Sequence, residues 1–143
     1  MAGGAGVSID GDLPYVDEHA ITIASPHDVV WTALLRYVAA SLDASRSPLA
    51  WLLGTTPRSG FEIAETVDGE GLVLAGRHRF SRYRLVFELH DTATGQTRLN
   101  AKTYAAFPGP HGRAYRIVVI GSGAHMLVTT HMLRAVRGRA MRA

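Results

Sequence analysis

The chain has 143 residues, 47% apolar and 19% charged, which fits one globular domain burying about 65–70% of its unfolded surface. It contains no cysteine, which excludes a disulfide framework and a thiolate zinc site. Residues 1–91 hold all 12 acids against 7 arginines; the remainder carries one lysine and seven arginines with no acid.

Spread over the 45 positions from Arg98 to Arg142, those cations read as solvated surface and as complements to a helix C-terminus. An anionic partner is the alternative. The opening "MAGGAGVSIDGDLP" has neither a basic n-region nor an apolar core, so residues 1–14 read as a loose leader rather than a signal peptide. The longest apolar stretch, from Ala114 to Leu133, is interrupted by Arg116, His125, His131 and two glycines, too polar for a membrane span. The expected compartment is the cytoplasm.

Residues 19–24 alternate as a strand, with His19, Ile21 and Ile23 in one register. Ser25-Pro26-His27-Asp28 then switches the period. Ser25 is a preferred N-cap, Pro26 suits the first helical position and Asp28 makes a shortened capping box. Val30, Trp31, Leu34, Val38 and Leu42 form one stripe of the helix that follows, with Arg36 and Asp43 off it. "SPLAWLLG" repeats the Ser-Pro device at Ser47-Pro48 and closes at Gly54, predicting a second, short helix.

Four segments of period two come next. Phe61, Ile63, Glu65 and Val67 share a face before the "DGEG" turn. "LVLAGRHRF" sets Leu72, Leu74, His78 and Phe80 against Val73, Arg77 and Arg79. "RYRLVFELH" sets Tyr83, Leu85, Phe87 and Leu89 against Arg82, Arg84, Glu88 and His90. After "DTATG", Leu99, Ala101, Thr103, Ala105 and Phe107 alternate with Arg98, Asn100, Lys102 and Tyr104. These read as antiparallel meander strands with one dry and one wet face. "PGPHG" ends the sheet, and helical spacing from Arg113 to Val136 gathers Tyr115, Val118, Val119, Ser122, His125, Met126, Thr129, Met132, Leu133 and Val136. Gly121 and Gly123 weaken that helix by roughly 1 kcal/mol each, which predicts a bend or a close approach there.

The order is α+β: a curved antiparallel sheet of five to seven strands around a long C-terminal helix, with a short helix pair after the first strand. Residues 15–137 form one domain and 138–143 a basic tail. A strand ending in "ASPHDVVWTALL" resembles the signature of the START-like, pollen-allergen-like superfamily of polyketide cyclase and lipid transport proteins, whose architecture is the helix-grip fold. "GPHGRAYRIVVIG…HMLVTTHMLRAV" is similar to the ends of small bacterial members. The resemblance implies a cavity between sheet and last helix. The chain has room for only five or six strands where seven is usual.

The inward set would line that cavity. Its polar members are His19, Glu65, His78, Tyr83, Ser122 and His125, each in an otherwise apolar row. Leu74, Phe80, Phe87, Tyr115, Val119 and Met126 supply the apolar lining. A few convergent polar groups in an apolar pocket describe a ligand site; the alternative is that each is satisfied by backbone or water. Other chemistries fit less well. "VVIGSGAHM" lacks the third glycine of a dinucleotide loop, Met126 standing in its place. His125 and His131 lie on different faces of a helix, so no metal or other cofactor is expected. Arg77, Arg79, Arg82 and Arg84 have no aromatic interleaving, which argues against nucleic acid.

The leading expectation is a non-catalytic carrier or sensor of a hydrophobic small molecule such as a lipid, polyketide or isoprenoid. The resemblance also implies a small cyclase or aromatase, with His78 or His19 as general base and Glu65 or Tyr83 as proton donor. A third reading is an interaction module docking through the C-terminal helix. A homodimer stays open.

Overall fold

Period-two alternation and two changes of period become the elements Tyr15–Ile23 (β1), His27–Asp43 (α1), Glu62–Val67 (β2), Gly71–His78 (β3), Ser81–Asp91 (β4), Thr97–Ala106 (β5), Gly109–Val119 (α2) and Ala124–Met141 (α3). The structure, a computed structural model, describes residues 13–43, 62–78, 81–92, 94–107, 109–119 and 124–142. The short helix expected around Pro48–Gly54 lies outside the described residues.

The five strands form one antiparallel sheet in the order β1-β5-β4-β3-β2. Register fixes what each face carries, because residues opposite one another share a face. On the inner face the rows run Ile21–Leu99–Leu89, then His19–Ala101–Phe87–Leu72, then Asp17–Thr103–Leu85–Leu74, then Ala105–Tyr83–Gly76. The outer face carries polar pairs: Lys102 Nζ meets Glu88 Oε1 at 2.9 Å, and Asn100 Nδ2 donates to Glu18 Oε1 at 3.1 Å.

Alpha-helix α1 buries Val30, Trp31, Leu34 and Val38, the stripe its spacing foretold, against the Ile23–Leu99–Leu89 end of the sheet. Helix α3 adds Met132, Leu133, Val136 and Ala140 to the same core. The C-terminal helical stretch is described as two helices, α2 and α3; Gly121 and Gly123, where the sequence predicts a bend or close approach, lie outside the described residues. Residues 138–141, which read as the start of a tail, continue α3.

Two local expectations are corrected. The Ser25 hydroxyl does not cap α1; it donates to Met141 Sδ at 3.5 Å, while the first helical bond runs from Val30 N–H to the Pro26 carbonyl. Glu65 does not face inward. Ile63 pairs with Leu74 but Glu65 pairs with Val73, a register shift at Ala64 that places two residues against one. Such a bulge moves everything beyond it to the opposite face.

The β2–β3 turn is tied to α1. Gly69, at φ +73, supplies the left-handed conformation that the turn needs, and Glu70 N–H closes it on the Val67 carbonyl. Trp31 Nε1 donates to Asp68 Oδ1 at 3.1 Å. His27 bridges further: Nδ1 meets Asp91 Oδ1 at 2.7 Å, and Nε2 meets the Gly69 carbonyl. A carboxylate and a carbonyl can only accept, so both bonds form together only when both ring nitrogens carry protons.

The His27 pKa is accordingly raised above 6.5, by the Gly69 carbonyl first and by Asp91 and Asp28, with burial opposing. A folded pKa above the unfolded one gives stability that is complete below pH 6.5 and fades as pH rises through the folded value. Urea melts at intervals from pH 5.5 to 8.5 should show the midpoint falling across this window. In His27→Gln that fall should be absent; an equal fall in the variant would assign it to another group.

Candidate functional site

The inner face changes character along its length. At the end where β1 runs into α1 it is solidly apolar: Ile23, Leu72, Phe87, Leu89 and Leu99 are all buried beneath α1 and α3. At the other end polar side chains from three neighbouring strands converge. Asp17 on β1 stands opposite Thr103 on β5. Thr103 is the diagonal neighbour of Tyr83 on β4, since Leu85 lies opposite Thr103 and Ala105 opposite Tyr83. His19 Nε2 lies 3.1 Å from Asp17 Oδ2, so the polar group runs His19–Asp17–Thr103–Tyr83 across the sheet.

This end is also where bulk is missing. Tyr83 is flanked in its row by Gly76 and Ala105, and the inward residues of β5 here are Ala101, Thr103 and Ala105.

Helix α2 approaches the same end through Tyr115. Tyr115 packs on Phe107, ring centroids 6.2 Å apart, and the Arg116 guanidinium lies 5.9 Å from the Phe107 ring centre. Burial, with Tyr115 adding to it, pushes the Tyr83 hydroxyl up to about 12. Tyr115 is raised by burial as well. Both phenols are neutral through the ordinary pH range. Thr103 is only 6% exposed, and its Oγ1 is a buried polar atom with no hydrogen-bond partner. Thr129 on α3 is buried too.

The residues singled out from sequence divide as follows. His19 and Tyr83 stand on the inner face at or near the polar end; Leu74 and Phe87 are there too but sit in the apolar core, and Tyr115 approaches from α2. Glu65 is on the far face of the sheet. Met126 is half exposed at the start of α3, beside the exposed Leu127 and Val128. His78 closes β3 as the partner of Ser81, and Val119 and His125 lie in α2 and α3, but their side chains fall outside the described residues, as do Phe80 and Ser122 altogether. Sequence reasoning did not single out Thr103 or Asp17. The signal was available: Thr103 is the one polar member of the row Leu99–Ala101–Thr103–Ala105, and Asp17 is two residues from His19 on a strand.

Among the described residues no group of three or more His, Asp or Glu could hold a metal ion, and no helix is long and apolar enough to cross a membrane.

No protein-family model and no curated protein matches the sequence. Solved structures do. A conserved protein from Geobacillus kaustophilus is 12% identical with a TM-score of 0.59, over 87% of this chain and 94% of that one. The Zhui aromatase/cyclase from Streptomyces sp. R1128 is 17% identical with a TM-score of 0.52, over 91% and 94%. A START superfamily protein from Mycobacterium smegmatis is 10% identical with a TM-score of 0.50, over 90% and 98%. At such identities the likeness concerns the course of the backbone. Together with an antiparallel sheet whose inner face holds a C-terminal helix, it shows that the chain has the START-like, helix-grip fold.

Proposed function

We propose that the protein is a carrier or sensor of a hydrophobic small molecule, held between the sheet and the C-terminal helices with its polar end at Thr103 and Tyr83. The observation that carries this reading is the Thr103 hydroxyl, buried and without a partner. An unsatisfied buried hydroxyl costs about 1–3 kcal/mol, and a ligand hydroxyl or carbonyl would recover it. Tyr83, neutral and beside it on the diagonal, adds a second hydroxyl. The small residues Gly76, Ala101 and Ala105 supply the room, and the apolar rows toward α1 supply a greasy wall. The fold shared with a START superfamily protein and an aromatase/cyclase supports the ligand class.

A second reading, a cyclase-like enzyme, draws on the His19–Asp17 pair. If Nε2 carries the proton toward the carboxylate, Nδ1 is left as a base. A proton donor within reach is harder to find. Glu65 is on the other face. Tyr83 lies two strands from His19 and four residues further along, a Cα separation of roughly 16 Å from strand spacing and rise. Side chains on one sheet face stand roughly perpendicular to it, so the two do not lie flat toward one another to close that gap, and binding is the better-supported function.

Palmitic acid, farnesol and an anthraquinone sample the ligand class. At a hundredfold excess over its Kd, a ligand adds about 2.7 kcal/mol of stability, visible as a rise of several degrees in melting temperature. Thr103→Val separates a ligand role from a structural one. It should leave the unliganded protein as stable as before or about 1 kcal/mol more stable, because the unpaired hydroxyl is gone, while weakening the best ligand about tenfold. If none of the three shifts the melting curve, and native mass spectrometry of protein from its own host shows only the bare polypeptide, the proposal is wrong.

A further inference from the structure

A second concavity lies away from the sheet. A groove of ≈ 400 Å³ between α1 and the end of α3 is lined by Asp28, Val29, Thr32, Ala33, Arg36, Arg139 and Arg142. It shares no residue with the polar end of the inner face. The α1 contribution is a stripe at positions 29, 32, 33 and 36, one helical face next to the one that packs on the sheet. Val29 and Ala33 make an apolar floor, Ala33 being buried. Three guanidiniums overhang it, against the single carboxylate of Asp28. Among the described residues neither Arg36, Arg139 nor Arg142 has an ion-pair partner.

The position of Arg142 adds an independent observation. A Cβ placed on Gly138 would meet its Nη1 at 3.6 Å, Nη2 at 3.8 Å and Cζ at 3.9 Å. The guanidinium of the exposed Arg142 therefore lies back along α3 over the glycine. A glycine within a helix costs about 1 kcal/mol relative to alanine, and here it gives a planar cation a flat seat beside the groove.

Arginine forks match the oxygens of phosphates and carboxylates, and two of these three come from one helix and the third from the other. We propose that this groove is a second binding site, taking the phosphate or carboxylate head of an amphiphile whose first carbons lie on Val29 and Ala33. The Thr32 hydroxyl supplies a further hydrogen bond to the head, and Asp28 disfavours anions too large to stay on the arginine side.

The test uses the full chain and three probes: inorganic phosphate for the head alone, hexyl phosphate for head and tail, and phosphatidylcholine vesicles with and without phosphatidic acid. Hexyl phosphate should move the backbone amide resonances of Thr32, Ala33 and Arg139 and bind more tightly than inorganic phosphate. Arg139→Gln/Arg142→Gln should weaken it about tenfold. Arg113→Gln/Arg137→Gln, which removes the same charge from exposed positions elsewhere, should not. Vesicle binding that needs phosphatidic acid and the same two arginines would make a lipid the source of the head. Hexyl phosphate binding without vesicle binding would make it a free amphiphile. The proposal is overturned if neither probe depends on Arg139 and Arg142, or if both double variants weaken binding equally, which is the mark of overall charge.

Discussion

The seating of α1 on one end of the sheet is the constraint on which the rest of the molecule depends. Val30, Trp31, Leu34 and Val38 cover that end of the sheet, and four bonds hold the helix start against its surroundings. Thr97 Oγ1 donates to the Ser25 carbonyl at 2.9 Å, Trp31 reaches Asp68, and His27 spans Asp91 and Gly69. Together they tie the start of α1 to the β2–β3 turn, to the end of β4 and to the start of β5. With one end filled by a helix, the inner surface becomes asymmetric: apolar beneath α1, and polar at the end that Tyr115 of α2 approaches.

That asymmetry gives the polar group its meaning. A threonine hydroxyl left unpaired in a fully packed core would be a defect without benefit, and the neighbouring rows show that this sheet can satisfy or avoid such groups. Thr97, equally buried, donates to a carbonyl. Thr103, on the same strand and the same face, does not. The difference lies in position: Thr97 is under the helix junction, where the chain folds over it, and Thr103 is among alanines with Tyr83 on its diagonal. Local violations of polar satisfaction concentrate where a protein does its work.

Much of the fold was legible because it rests on periodicity. The four meander segments and the helix stripe Val30–Trp31–Leu34–Val38 follow directly from spacing. Glu65 was not legible. Alternation assigns it to the inner face with Ile63, and only the extra residue at Ala64 reverses it; no turn residue or proline announces that bulge. The Ser25 hydroxyl was misassigned for a different reason. Capping is a local preference worth about 1 kcal/mol, and a sulfur 116 residues away in sequence outcompetes it once α3 is folded into place.

The split of charge along the chain resolves in three dimensions. Acids from the first part and cations from the second meet on the outer face of the sheet, Glu88 with Lys102 at 2.9 Å and Glu18 with Asn100, which in turn accepts from Arg98 at 3.1 Å. The Glu88–Lys102 pair is half-buried, and Asn100 is buried, so these contacts neutralise or satisfy the polar groups of β5 where the sheet takes them out of water. Among the described residues the α3 arginines of the groove have no such counterpart, and the one carboxylate lining it is that of Asp28. The terminal arginines of α3 complement the helix dipole, and a dipole is satisfied by cations pointing anywhere around the last turn. It does not explain why Arg139 and Arg142 share one groove with Arg36 from another helix. A binding site for an anion does.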